Sequence, residues 1–129
     1  MKPFFSSRVA SFRYAFHGWH HVLRTQQNMW IHGLVAIIVF ILASWLRLPP
    51  RDWALLILTS AMVFAAEFMN TAIEAVVDLT SPNKHPLAKI GKDVSAAAVL
   101  VAALAAVLIG LLILGPPLYA QLVLLITND

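Results

Sequence analysis

The sequence of 129 residues contains no cysteine and few charged residues, and both absences narrow the possible functions. Without cysteine, the chain has no disulfide, no thiolate metal site and no cysteine nucleophile. Charged residues make up 12% of the chain, against about 25% in ordinary soluble domains. Hydrophobic residues make up 60%, and the mean hydropathy is +0.81. This composition predicts one small membrane domain over residues 1–129.

The common phosphate-binding loops are also absent. Neither G-x-x-x-x-G-K-[ST] nor G-x-G-x-x-G occurs, so two frequent nucleotide cradles are excluded. Phosphate chemistry would then depend on a hard cation such as Mg²⁺, which prefers one or two carboxylates together with substrate phosphates.

Three apolar segments are long enough to cross about 30 Å of hydrocarbon. They cover about residues 29–46, 53–77 and 94–114. Pro49-Pro50 breaks the chain between the first two, and Ser81-Pro82-Asn83 begins the turn after the second. Gly115-Pro116-Pro117 is expected to end the third segment and to leave a short apolar tail, residues 118–126, at the membrane interface.

The N-terminal residues predict a surface helix over about residues 7–26. Apolar residues recur there at spacings of three and four, and basic residues occupy the other sides, with no acidic residue before Asp52. Such a basic amphipathic helix is typical of an anionic membrane surface. A topology anchor with no role in a site is the alternative. The apolar positions are Phe5, Val9, Phe12, Phe16, Trp19 and Leu23.

The basic residues predict the orientation of the chain. Seven lie before the first segment or between the second and third, whereas the opposite side has only Arg47 and Arg51. The positive-inside rule then places the N-terminus and the second loop in the cytoplasm. With some 28 residues before the first apolar run, the N-terminus is not expected to be a signal peptide. The seven are Lys2, Arg8, Arg13, Arg24, Lys84, Lys89 and Lys92.

Acidic and amide residues interrupt the second apolar segment at helical spacing. Glu67, Asn70 and Glu74 lie within it, and Asp78 follows its end. At 100° per residue all four share one stripe of a helix. A charged group at the bilayer centre costs at least about 2.5 kcal/mol, so this stripe is a candidate functional site.

The stripe suits phosphoryl transfer, which requires mainly positioning and charge neutralisation. Glu74 is near enough to the water boundary to hold a cation, whereas the deeper Glu67 suits a general base acting on a hydroxyl. Lys92 and Asp93 begin the third segment on the same side and are placed to meet phosphates.

Two other function classes compete with this interpretation. An ion transporter also uses intramembrane carboxylates, but residues 53–66 offer only Thr59 and Ser60 to continue the polar path. A non-catalytic scaffold would hold the two glutamates as packed polar groups of an oligomer core, and it would leave the one-sided acidic stripe without a cause.

The stripe and its surroundings resemble one known signature. Glu67-Phe-Met-Asn70-Thr-Ala-Ile-Glu74-Ala-Val-Val-Asp78, followed by Ser81-Pro-Asn-Lys-His85-Pro-Leu-Ala-Lys-Ile-Gly-Lys92-Asp93, is similar to the small bacterial lipid kinases, the diacylglycerol kinase and undecaprenol kinase family. Ser11-Phe-Arg-Tyr14-Ala-Phe-His17-Gly18 and Asn28-x-x-Ile-His32 resemble its N-terminal part. The wording S-P-x-x-H-P-L-A-K-I is closer to the undecaprenol kinase branch, although the lipid acceptor stays open.

The resemblance implies an all-α integral membrane enzyme of the cytoplasmic membrane, with an N-terminal surface helix and three transmembrane helices. It would phosphorylate a lipid alcohol, undecaprenol or diacylglycerol, with ATP and Mg²⁺. The family also implies a homotrimer with active sites shared between subunits. No nucleic acid partner is expected.

The resemblance also assigns roles to individual residues. Glu67 would be the general base and Glu74 the Mg²⁺ ligand, with Asn70 and Asp78 in support. Glu67, Asn28 and His32 would meet the lipid substrate. The nucleotide-binding residues would be Arg8, Tyr14, His17, Glu74, His85, Lys92 and Asp93.

Two positions depart from the family pattern. Gln26 stands where many members have a second metal-binding Glu, so it offers the metal an oxygen without a charge. His17 stands where a Lys is frequent, which makes phosphate contact there dependent on protonation. Weakened nucleotide binding is therefore expected rather than loss of the reaction.

Overall fold

The computed structural model describes residues 4–83 and 85–127, with side chains from Arg8 onward. The described chain is entirely helical, as the sequence predicts. Lys2 and Lys84, counted above for the orientation, lie outside the described residues, as does the side chain of Phe5. The four helices are α1 (Phe4–Thr25), α2 (Gln27–Trp45), α3 (Pro50–Thr80) and α4 (Pro86–Thr127).

Short breaks separate the helices where the sequence contains helix-breaking or extended residues. Gln26 is extended, with φ −106° and ψ 109°, and divides α1 from α2. Arg47 has a φ of 53° in the tight turn after α2. Pro49 is extended and Pro50 occupies the first turn of α3, where its missing N–H costs nothing.

Three of the described helices, α2, α3 and α4, are long and apolar enough to cross a membrane. The 31 residues of α3 measure about 46 Å and the 42 of α4 about 63 Å, against about 30 Å of hydrocarbon. Both helices are therefore longer than the hydrocarbon is thick, so each must tilt or extend beyond it.

The expected helix break at Gly115-Pro116-Pro117 is wrong. Helix α4 continues through both prolines to Thr127, so residues 118–126 belong to it. Proline removes one backbone N–H, but its fixed φ of about −65° is helical, and transmembrane helices tolerate such positions. The local signal for a break is thus overridden in this helix.

Helices α3 and α4 form the most extensive helix–helix contact, and α2 packs against α3. An apolar core of Ala43, Leu56 and Leu114 lies toward the end of the bundle away from the acidic stripe. Phe40 and Trp53 stack beside it with ring centroids 5.8 Å apart. This core anchors the three long helices.

Helix α1 exposes its apolar face. Phe12 and Phe16 are 70% and 72% exposed, whereas Val22 near the end of the helix is buried. Trp19 contacts Phe68 of α3 at a centroid distance of 5.1 Å. The exposed face agrees with the prediction of a helix that lies on a membrane surface.

Candidate active site

Glu67 is buried to 1% exposure in the middle of the helical bundle. Its Oε1 lies 3.2 Å from Nε2 of His32, but it has no hydrogen-bond partner among the described residues. One turn further along α3, the hydroxyl of Thr71 donates to the backbone carbonyl of Glu67 and so is satisfied within the helix. A buried carboxylate oxygen without a hydrogen bond is costly, which points to function rather than packing.

A groove of about 280 Å³ brings the predicted lipid-contacting residues together. Asn28 and His32 of α2 line it with Glu67 and Asn70 of α3. The remaining walls are apolar and come from α2 and α4. They are Ile31, Ala96, Val99, Leu100 and Ala103.

A chain of hydrogen bonds around Glu74 connects α3, α4 and the break between α1 and α2. Nδ2 of Asn70 donates to Oε1 of Glu74 at 3.2 Å, and Nε2 of Gln26 donates to Oε2 at 3.3 Å. The hydroxyl of Ser95 on α4 donates to Oδ1 of Asn70 at 2.6 Å. Ser95 thereby fixes which side of the Asn70 amide faces Glu74.

An open cleft of about 640 Å³ lies beyond Glu74, at the end of the bundle where α3 meets α4. Lys92 forms an ion pair with Asp78 at 2.7 Å, and Lys89 forms one with Asp93 at 2.8 Å. The hydrogen bond to Asp78 raises the pKa of Lys92, so this lysine keeps its charge at neutral pH. All four line the cleft, and so does His85, whose Nδ1 accepts a hydrogen bond from the Leu87 N–H.

The polar residues suit a magnesium ion that is held mainly by phosphates. Among residues 8–83 and 85–127, no three His, Cys, Asp or Glu side chains converge on one point. Glu74 and Gln26 do meet at 3.3 Å, and a turned amide would present the oxygen of Gln26 beside the carboxylate. One carboxylate, one amide oxygen and substrate phosphates match the ligand preference of Mg²⁺.

The predicted site residues fall into four groups. Asn28, His32 and Glu67 line the groove, Gln26, Asn70 and Glu74 are hydrogen-bonded, and Asp78, His85, Lys92 and Asp93 line the cleft. The remaining three lie on α1, are exposed, and line neither cavity: Arg8, Tyr14 and His17. The guanidinium of Arg13 lies 5.5 Å above the ring of Tyr14.

Sequence reasoning missed Ser95. Its hydroxyl is the only one between residues 94 and 114, and it is 6% exposed. The sequence did offer a signal. A single hydroxyl in an apolar span, two residues after Asp93, needs a hydrogen-bond partner in lipid, and this could have placed Ser95 in the site.

The polar stripe of α3 ends within the bundle. Thr59 is buried, and its hydroxyl returns to the carbonyls of Leu55 and Leu56 in its own helix. Beyond Thr59, on the side away from Glu67, lies the apolar core that contains Leu56. The stripe is therefore open at the end near the cleft, as the sequence predicts.

Comparison with known protein families gives one match over most of the chain. The family model described as prokaryotic diacylglycerol kinase matches residues 13–114. These residues include α2, α3, the groove, the hydrogen-bonded chain and the cleft.

Individual relatives agree with this match. The chain is 47% identical over 116 residues to a diacylglycerol kinase of Synechocystis sp., which covers 89% of this chain and 66% of the relative. It is 40% identical over 108 residues to an undecaprenol kinase of Bacillus subtilis, covering 84% and 88%. A diacylglycerol kinase of Escherichia coli is 37% identical over 76 residues, covering 59% and 62%.

Proposed function

Since the chain belongs to the prokaryotic diacylglycerol kinase family, a family of membrane lipid kinases, we propose that it transfers the γ-phosphoryl group of ATP to the hydroxyl of a membrane lipid alcohol. The lipid would enter the groove from the bilayer, and ATP would enter the cleft from the cytoplasm. The lipid hydroxyl and the γ-phosphate would then meet between Glu67 and Glu74.

The burial gradient along α3 is the observation that carries this proposal. Glu67 is buried in the groove, Glu74 is half-buried, and Asp78 is exposed at the cleft. Seven residues of helix separate the two glutamates, which is about 10 Å along the axis. One helix thus leads from a lipid-facing carboxylate to a water-facing one.

Glu67 would act as the general base. Its Oε1 lies 3.2 Å from Nε2 of His32 but accepts no hydrogen bond among the described residues, and Glu67 lines the groove, where a lipid hydroxyl can donate to it. Asn28 and His32 line the same groove and would orient the hydroxyl toward the phosphate. The apolar walls would exclude water, which would otherwise compete with the lipid for the phosphoryl group.

The cleft would hold the nucleotide. Its two lysines are engaged in exposed ion pairs, which are worth only about 0–1 kcal/mol, so phosphate oxygens can replace the aspartates at little cost. Glu74 would hold Mg²⁺, with the Gln26 amide oxygen as a second protein ligand. The bound ion would neutralise charge on the phosphates. Asn70 would orient Glu74 through its hydrogen bond.

A polyprenol would be preferred to diacylglycerol as acceptor. Five of the groove's nine lining residues are apolar, so the donors that could meet the two ester carbonyls of diacylglycerol are limited to Asn28, His32 and Asn70. A polyprenol has no polar atom besides its hydroxyl. The relative from Bacillus subtilis, which matches over 88% of its length, is an undecaprenol kinase.

A homotrimer would explain the residues that line neither cavity. Tyr14, Arg8 and His17 are exposed on α1 and would reach the cleft of a neighbouring subunit. The same arrangement would cover the groove from the side. The excess of basic residues at the cleft end supports a cytoplasmic location for the N-terminus and the second loop.

Transfer of labelled phosphate from ATP to a lipid tests the proposal. The purified protein in detergent micelles is given Mg-ATP and either a polyprenol or diacylglycerol, and labelled lipid is measured. We expect labelling of both with a higher kcat/KM for the polyprenol, and none with Glu74→Gln. Ion flux into proteoliposomes without nucleotide, and no labelled lipid, would favour a transporter instead.

A further inference from the structure

Trp30 connects the two sides of the break between α1 and α2. It lies in the first turn of α2, and its indole N–H donates to the backbone carbonyl of Leu23, in the last turn of α1, at 2.8 Å. In a continuous helix that carbonyl would accept from the N–H four residues later, but the extended conformation of Gln26 interrupts the regular pattern. The indole thus supplies a donor to the end of α1 from the next helix.

The inner side of the same break is packed. Val22 of α1 and Met29 of α2 are both buried, and the N–H of Gln26 donates to the carbonyl of Val22 at 2.9 Å. Trp30 is exposed and closes the outer side. Apolar packing on one side and an indole hydrogen bond on the other therefore restrict the angle between the two helices.

The side chain of Gln26 depends on this angle. It makes no hydrogen bond to the start of α2, although Gln26 is the residue that precedes that helix. Its Nε2 donates instead to Oε2 of Glu74 on α3 at 3.3 Å, which is near the long end of the hydrogen-bond range. A small rotation at the break would move the amide out of reach of the carboxylate.

An anchor in the membrane interface is the alternative role for Trp30, since tryptophan is frequent where the bilayer meets water. Such an anchor uses its indole N–H for headgroups or water. Here the N–H donates to a backbone carbonyl of the same chain, while the ring remains exposed. The two roles can be separated by removing the N–H alone.

We propose that Trp30 is a positioning residue, whose hydrogen bond to Leu23 holds Gln26 against Glu74 and so raises the affinity of the site for Mg²⁺. The effect on the metal rests on the proposed function, in which Gln26 and Glu74 are the protein ligands. Trp30 lines neither the groove nor the cleft, so its influence must pass through Gln26.

The variant Trp30→Phe tests the proposal, because it keeps an aromatic ring and removes the N–H. Lipid phosphorylation is measured in micelles while Mg²⁺ is varied. We expect the half-saturating Mg²⁺ concentration to rise about fivefold, as loss of one ordinary hydrogen bond predicts, while kcat at saturating Mg²⁺ and the KM for the lipid are kept. The matched control is Trp45→Phe, at the exposed opposite end of α2, which should leave the Mg²⁺ dependence unchanged.

A double-mutant cycle shows whether the effect passes through Gln26. Gln26→Ala should itself raise the half-saturating Mg²⁺ concentration, and the addition of Trp30→Phe should raise it no further. A double variant that shows the product of two separate increases overturns the positioning role. Wild-type Mg²⁺ dependence in either single variant overturns it as well.

Amide hydrogen exchange tests the same hydrogen bond without any activity. The N–H of Gln26 should exchange about fivefold faster in Trp30→Phe than in the wild type, because the end of α1 opens more often, and at the wild-type rate in Trp45→Phe. Unchanged exchange overturns the inference even if the wild type phosphorylates lipid. An inactive wild type rejects the proposed function and the effect on Mg²⁺, whereas faster exchange in that case still supports the role of Trp30 at the break.

Discussion

Glu67 and Glu74 occupy one stripe of α3, yet their surroundings differ in a way that separates their roles. Oε1 of Glu67 has no hydrogen-bond partner among the described residues, whereas both oxygens of Glu74 accept hydrogen bonds from amides. This difference suits the proposed roles, with Glu67 as the base and Glu74 as the metal ligand. Each role can be tested by a single substitution.

Glu67→Gln removes the base and keeps the size of the side chain. We expect kcat for lipid phosphorylation to fall at least about 10²-fold, because general base catalysis contributes that much, while Mg-ATP still binds. Phosphate transfer and nucleotide binding to the same preparation check this. Near-normal turnover would refute the assignment of the base.

Ser95→Ala removes the hydroxyl that orients Asn70. The buried oxygen of Asn70 loses its partner, which costs about 1–3 kcal/mol. If the misorientation of Glu74 weakens Mg²⁺ binding by about 1 kcal/mol, the half-saturating Mg²⁺ concentration rises about fivefold. Titration of activity with Mg²⁺ measures the change. Ser60→Ala on α3 is the matched control, and an equal rise there would contradict the role of Ser95.

Gln26→Glu restores a second carboxylate beside Glu74. Without a cation, two carboxylates at the 3.3 Å separation of the present pair repel each other, so the Tm should fall. With Mg²⁺ and ATP the repulsion becomes attraction to the metal, and the half-saturating Mg²⁺ concentration should fall about threefold or more. Melting curves without Mg²⁺ test the expected fall in Tm, and activity titrated with Mg²⁺ tests the expected fall in the half-saturating concentration. Unchanged metal dependence would mean that residue 26 is not a ligand.

At the scale of helices, the sequence predicted what periodicity and composition control. The acidic stripe of α3 was readable because its spacing follows 3.6 residues per turn. Pro49-Pro50 was correctly taken as the break before it, but the helix begins at Pro50 rather than at about residue 53. The end of α4 was not readable, because proline signals a break only on average and the long helix continues through Pro116 and Pro117.

Contacts between helices explain the rest of what the sequence left open. That Asn28 and His32 share a groove with Glu67 depends on the packing of α2 against α3, which local patterns do not specify. The link from Ser95 to Asn70 likewise crosses from α4 to α3. The family resemblance supplied residue identities, and the fold supplied their partners.

The groove wall formed by α4 gives a prediction at this scale. Ala103→Trp would fill much of the groove of about 280 Å³, so the KM for the lipid should rise strongly while the KM for Mg-ATP is kept. Ala105→Trp, on an exposed side of the same helix that does not line the groove, is the matched control. Kinetics with the lipid and Mg-ATP varied in turn give both KM values for each variant. Equal effects of both variants would place the lipid elsewhere.

At the scale of the whole molecule, one subunit leaves its site partly uncovered. Large apolar side chains are exposed along all three spanning helices, and the apolar face of α1 is exposed as well. Lipid can cover much of this surface. It cannot satisfy Asn28, the exposed polar residue of the groove, so a neighbouring protein surface is expected there.

Subunit mixing tests whether that neighbour completes the site. Glu67→Gln and Tyr14→Ala each remove one part of the proposed machinery, and each alone should be inactive. If Tyr14 serves the cleft of an adjacent subunit, a refolded 1:1 mixture contains sites with Glu67 from one variant and Tyr14 from the other. Random association would restore about one quarter of the wild-type rate, because each part is intact with a chance of about one half. A mixture that stays inactive would place Tyr14 and Glu67 of each site in the same chain.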